Sequence, residues 1–386
     1  MALLLVGSSA TTGSAATVLS RQWHLGAMQA ETMWRTSTGE GVTVAVIDTG
    51  VREVPELAGR LLEGKDFTDG VAGEHDEAGT TAAAVIAGTG KGAGGRESAY
   101  GLAPGAKILP LKVSDGSETP DSGERSIAVN SDLVPAIRYA ADSEAKIISI
   151  SVTASLSGGG AVNEAVIYAL SKGKLIFAAA GDSEFPKRPV KNPAAIPGVT
   201  GVAALRKDAT ALKSSAVGPE VTLSAPGEDV LSACAEREGL CTSSGTAVAT
   251  AVTAASAALI WSKHPDWTNY QVLRVLLNTA GAPKSGAVRN DYVGYGAVRP
   301  RIALKTPGDP GPADSYPLPD LVETPDAQPG VGSGAGATTP AASAETDHRG
   351  TALLVSLGVC AAGLICLAVA VPLLIADRRR TGLSRP

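Results

Sequence analysis

Apolar residues over the first three hundred positions fall into short runs closed by turn or small residues. Residues 42–47 (VTVAVI), 107–113 (KILPLKV), 146–152 (KIISISV) and 174–179 (KLIFAA) read as strands, and shorter runs start at Val199 (VTGVAAL) and Val221 (VTLSAPG). Helical spacing appears between them over residues 81–87, 133–141 and 162–170. Strands alternating with helices predict βαβ units and a three-layer α/β domain with a mostly parallel central sheet. The strands are apolar throughout rather than alternating, which predicts helices on both faces. Residues 246–263 are small and apolar nearly all round and predict a helix buried at the centre. The next helix opens at TNYQVLRVLLNTA, where Thr268 and Gln271 have capping-box spacing and Val272, Val275 and Leu276 recur at helical intervals.

The composition then changes. Residues 306–350 are dominated by Pro, Gly, Ala, Ser and acids, which bury too little apolar surface to offset ordering entropy, and they read as a linker. Residues 351–376 (TALLVSLGVCAAGLICLAVAVPLLIA) carry no charge and are long enough to cross a bilayer as one helix. The tail over 377–386 opens with DRRR, which by the positive-inside rule is cytoplasmic and leaves the globular part extracytoplasmic at the cell membrane. At the other end ALLLVG, followed by Ser14, Ala15 and Ala16, is read as a signal peptide over residues 1–16. No Lys or Arg precedes Arg21, so either its start is clipped, which is the favoured expectation, or it is a weak signal. The net charge of −5 argues against a nucleic-acid partner. Of the four cysteines, Cys360 and Cys366 lie in the apolar segment. Cys234 and Cys241 flank AEREGL, where an extracytoplasmic setting favours a disulfide. A zinc site is disfavoured because no histidine is near in sequence. No cofactor or metal is expected.

Sites in parallel sheets sit at the carboxyl ends of strands. That directs attention to Asp48, which follows VAVI, and to Gly181-Asp182, which follow IFAAA. An acid followed by Thr-Gly at a strand end suits two kinds of protease. An aspartic protease needs a second such loop so that two carboxylates share a proton. The only candidate, Asp121-Ser122-Gly123 in GSETPDSGERS, has no strand before it and reads as a polar loop.

The other kind is the subtilisin family, and the resemblance extends over residues 21–303. GEGVTVAVIDTGV resembles the family's aspartate motif, AGTTAAAVIAG its histidine motif, LIFAAAGD its oxyanion-hole motif and SGTAVATA its serine motif, in the family's order. LAPGAKILPLKV and VTLSAPGEDVLSAC are similar to its framework segments. RQWHLGAMQAETMWRTSTGEGVTVAVIDTGV and YVGYGAVRP are similar to the mycosins, membrane-anchored subtilisins associated with type VII secretion. The resemblance implies a subtilisin-like (S8) peptidase domain over residues 21–305 with the membrane helix after it. It also implies type VII secretion membrane components, or secreted peptides, as partners.

The chemistry departs from the pattern. Asp48 matches the triad acid, but the histidine position falls on Ala78, the serine position on Ala247, the oxyanion asparagine on Asp182 and the motif's last proline on Ala251. Alanine offers neither an atom to attack with nor one to take a proton. An ionised aspartate presents only acceptors where a donor is needed. In subtilisin itself, losing the serine or histidine costs about a million-fold in turnover. Nearby residues read as poor substitutes. His75, in GEHDEAG, is expected in a solvated loop, Glu74 to Glu77 lack further cation ligands, and Ser243 and Ser244 are expected to cap the helix after them. The expectation is a catalytically silent mycosin-like protein with a structural or peptide-binding role. The edge at ISVTASLSGGG is the candidate peptide track. The alternative is an active endopeptidase with an atypical site that processes secreted proteins.

Overall fold

A computed structural model describes residues 16–68, 76–115, 122–154, 160–183, 189–235 and 239–319. The segments expected to be a signal peptide up to residue 15, the linker beyond 319, the membrane helix over 351–376 and the cytoplasmic tail lie outside the described residues. Among the described residues no helix is long and apolar enough to cross a membrane.

The strands are β1 (Thr43–Asp48), β2 (Lys65–Asp66), β3 (Thr89–Lys91), β4 (Glu97–Tyr100), β5 (Lys107–Lys112), β6 (Ile147–Ile150), β7 (Leu175–Ala179), β8 (Thr200–Leu205), β9 (Val221–Pro226), β10 (Val230–Ala233) and β11 (Leu240–Ser243). The helices are α1 (Val18–Arg21), α2 (Trp23–Met28), α3 (Ala30–Trp34), α4 (Glu77–Ala87), α5 (Ser122–Asp142), α6 (Gly160–Ser171), α7 (Thr246–Lys263), α8 (Asn269–Asn278) and α9 (Pro300–Lys305). A seven-stranded sheet in the order β2-β5-β1-β6-β7-β8-β9 is parallel at every pairing. β1 therefore lies inside the sheet, with β5 and β6 on either side.

Because side chains alternate across a strand, β1 serves two cores. Val44 and Val46 join Ile108, Phe177 and Leu223 under α4, α7 and α8. Ala45 and Ile47 join Leu111, Ile148 and Ile150 under Leu133 and Ile137 of α5 and Val162 and Val166 of α6. This is the three-layer arrangement the apolar runs predict. α7 matches its expected bounds, and its small residues let it lie against β6 to β9. Three of its hydroxyls are satisfied within the helix. Thr250 donates to Thr246 O (2.7 Å), Thr253 to Ala249 O (2.9 Å) and Ser256 to Val252 O (2.8 Å). The capping box of α8 closes as expected between Thr268 and Gln271.

Three features differ from the sequence reading. α5 begins at Ser122, so part of the segment read as a polar loop is helical; its first turns are polar and show no apolar period. Residues 16–34 form three short helices that were not foreseen. They clasp the domain through Gln22, whose Nε2 donates to Tyr100 O (2.8 Å) and Leu231 O (3.0 Å), and Trp23, whose Nε1 donates to Glu228 O (2.8 Å). Residues 306–319, the start of the Pro-rich stretch, are fastened to α8. Arg274 donates to Pro310 O (2.6 Å), Pro312 O (3.1 Å) and Ser315 O, Gln271 to Gly311 O (2.9 Å) and Thr268 to Ala313 O (2.8 Å). Leu318 ends this strap inside the core.

Candidate functional site

The carboxyl ends of β1 and β7 and the start of α7 face one region, and the residues singled out in the sequence sit there. Asp48 is the last residue of β1 and is 2% exposed. Its Oδ1 accepts from Thr49 N–H at 2.7 Å and from the Thr49 hydroxyl at 3.4 Å. The Ser151 hydroxyl, just past β6, faces the same carboxyl, yet neither it nor Oδ2 of Asp48 completes a hydrogen bond of ordinary geometry. Burial pushes this carboxyl above the usual carboxylate range and the Asp115 charge pushes the same way; the Thr49 N–H and the Ser151 and Thr49 hydroxyls oppose them.

The first turn of α4 closes over this loop. A Cβ on Gly79 would stand 2.1 Å from Gly50 O and 3.1 Å from Asp48 Cβ, so only glycine lets the helix approach so closely. The Thr80 hydroxyl donates to Asp76 O at 2.6 Å and accepts from Arg52 N–H at 2.9 Å, which ties the turn down. Ala78 stands one residue before Gly79 and is exposed. Ala247 is the second residue of α7 and is half-buried. Methyl groups therefore stand at the two positions that the motif order leads one to expect for a base and a nucleophile.

Asp182 presents acceptors, and each of its oxygens is used. Its Oδ2 accepts from the Thr246 N–H and the Thr246 hydroxyl, each at 2.8 Å, and its Oδ1 accepts from the Ser214 hydroxyl at 2.9 Å. Asp182 thus does what Ser243 and Ser244 were expected to do. The residue preceding α7 is Gly245, which has no side chain to cap with, and the Ser244 hydroxyl is turned to accept from Asp229 N–H at 2.8 Å. Neither Thr246 nor Ser214 was singled out in the sequence; the motif shows the Thr, while nothing local marks a serine 32 residues away.

The acidic run before α4 also resolves. Asp76 lies 3.4 Å from Lys112 Nζ and 3.6 Å from Arg52 Nε, so two cations already face it. The Glu77 carboxylate lies within 4.8 Å of both sulfurs of the Cys234–Cys241 disulfide, which closes the β10–β11 hairpin and leaves no thiolate to bind a metal. Glu74 and His75 lie outside the described residues. Past β6, Ala154 and Asn192 exchange main-chain hydrogen bonds (2.9 and 3.1 Å), so the proposed peptide track is paired with the chain itself on that side.

Residues 39–296 match the Subtilase family, Peptidase S8. The chain belongs to that family. This subtilase is 33% identical to the Thermostable alkaline protease of Halalkalibacterium halodurans over 244 residues, 63% of each chain. It is 30% identical to Mycosin-3 of Mycobacterium tuberculosis over 335 residues, covering 72% of this chain and 71% of the relative. Its fold is similar to that of a chain in the periplasmic assembly of the ESX-5 inner membrane complex. The TM-score there is 0.67 and the identity 26%, with 86% of this chain and 91% of the other covered. The subtilase domain spans about two thirds of the length of the curated relatives it matches. Asp48, Ala78, Asp182 and Ala247 all fall inside the matched region.

Proposed function

We propose that this subtilase is a mycosin-like component of a type VII secretion membrane complex that cleaves no peptide bond. It serves there as a structural or peptide-holding part. One observation carries the first half of the reading: with Asp48 buried and intact, alanines 78 and 247 stand at the motif positions where a base and a nucleophile would have to cooperate. The likeness to Mycosin-3 and to a chain of the ESX-5 inner membrane complex supports the second half. The apolar segment over 351–376 and the arginines after it would anchor the domain outside the cytoplasm, with the tail inside.

The test uses the full-length protein in detergent or in isolated membranes. It is expected to take up no fluorophosphonate probe and to release no fragments from casein, while cross-linking in membranes joins it to other secretion components. Probe labelling or casein turnover that survives exhaustive purification and disappears on a single substitution in the cleft overturns the silent reading. Absence of any cross-link to a secretion component overturns the placement.

A further inference from the structure

The Asp182 carboxylate has three donors on two other segments, and its own segment is tied to both of them. Ser183 N–H donates to Ser214 O at 2.8 Å, and Ala216 N–H donates to Gly181 O at 2.8 Å. The Thr246 hydroxyl that donates to Asp182 accepts in turn from Gly181 N–H at 3.1 Å. The approach is close: a Cβ on Gly245, whose φ is +133°, would lie 3.0 Å from Asp182 Oδ2. The end of β7, the 214–216 turn and the start of α7 therefore meet on one carboxylate.

We propose that Asp182 is the resident anion of the α7 N-terminus, a clasp that joins these three segments and occupies the donors a foreign anion would otherwise use. The physical reason is the unpaired N–H groups and partial positive charge at the start of any helix. α7 is buried almost throughout, and Gly245 has no side chain to accept with, so the side-chain acceptor comes from the segment after β7. A carboxylate suits this better than an amide, because both of its oxygens accept and each is used. The residue that removes an oxyanion donor from the family's chemistry thus gains a structural role. This inference rests on the reading that the cleft is silent.

Hydrogen exchange on the full-length protein tests it, comparing the wild type with Asp182→Ala and Asp182→Asn. In Asp182→Ala, exchange at Thr246 and the next amides, and in 214–216, is expected to rise about 10-fold, the size of a lost helix cap, with the rest of the sheet unchanged. Asp182→Asn, which keeps one acceptor, is expected to fall between the two. Added formate should restore protection in Asp182→Ala and do nothing to the wild type, whose helix end is already filled. Equal exchange in wild type and Asp182→Ala overturns the proposal. So does a rise spread evenly over the domain, protection of the wild type by formate, or failure of formate to protect Asp182→Ala. Proteolytic turnover by the wild type would overturn the silent reading instead and leave these exchange results standing.

Discussion

His24 should make the domain acid-sensitive in a calculable way. It lies on α2, is fully buried, and neither ring nitrogen has a hydrogen-bond partner. Burial alone lowers its pKa from 6.5 to about 4, because a charged imidazolium there loses its hydration and gains no counter-charge. The folded-state value lies below the unfolded one, so the unfolded chain binds more protons as the pH drops. The stability at stake is fully present above about pH 7, is lost as the pH falls through 6.5 towards 4, and is wholly gone below that. The difference between the two values corresponds to roughly 3 kcal/mol, of which about 2 kcal/mol is lost by pH 5. Urea unfolding at pH 7 and pH 5 reads this directly. Carboxylates titrate over the same range in every variant, so the informative quantity is the difference between wild type and His24→Leu. The variant should lose about 2 kcal/mol less than wild type between the two pH values. Because His24 sits in the 16–34 clasp, exchange of amides in that segment should rise first on acidification. An identical pH dependence in both proteins would refute the argument and mean that the imidazole finds water or a partner on protonation.

Two further perturbations probe the site and the strap. Asp48→Asn should stabilise the domain at pH 7. A buried acid whose pKa is raised contributes stability only at low pH and loses it as the pH rises through the folded value, so the advantage of the amide should shrink towards pH 4 in denaturant titrations. A variant less stable than wild type at pH 7 would show that the carboxylate is favourably solvated. Arg274→Ala removes the donor to three strap carbonyls and should open residues 306–319 to limited proteolysis at unchanged far-UV circular dichroism. Unchanged resistance would mean that Leu318 and the Thr268 and Gln271 contacts hold the strap alone.

The sequence was most legible where burial makes a strong local pattern. α7 could be bounded because residues 246–262 are all small or apolar, and β1, β5, β6 and β7 because each is built around a short apolar run. The α1 to α3 helices, of four to six residues, are too short for a helical period to emerge, so the burial of His24 was invisible with them. The strap was hidden for the opposite reason. Its Pro- and Gly-rich composition carries no core of its own, and its order is imposed by side chains of α8 some 40 residues earlier. In the site, the place of Asp48 at the end of β1 and of Ala247 in the first turn of α7 followed from the strand and helix bounds. The bonds of Asp182 did not, because Thr246 is 64 residues away and the cap expected from neighbouring serines is supplied from the segment after β7.

The distribution of burial separates what holds this cleft together from the side chains at its candidate site. The parts that bring β1, α4 and α7 together are packing contacts: Gly79 against Gly50, the Thr80 hydroxyl between Asp76 and Arg52, and the small face of α7 on the sheet. None of them needs a nucleophile or a base. Positions 78 and 182 are exposed and 247 is half-buried, and substitutions at such places cost a fold little. Asp48 is the exception. It is buried with one oxygen unpaired, so within this cleft it is the residue whose retention costs the fold most. Alanine at 78 and 247 therefore costs the fold little, whereas the carboxylate at 182 meets the start of α7, where Gly245 has no side chain to offer. The cleft keeps its geometry because that geometry belongs to the core.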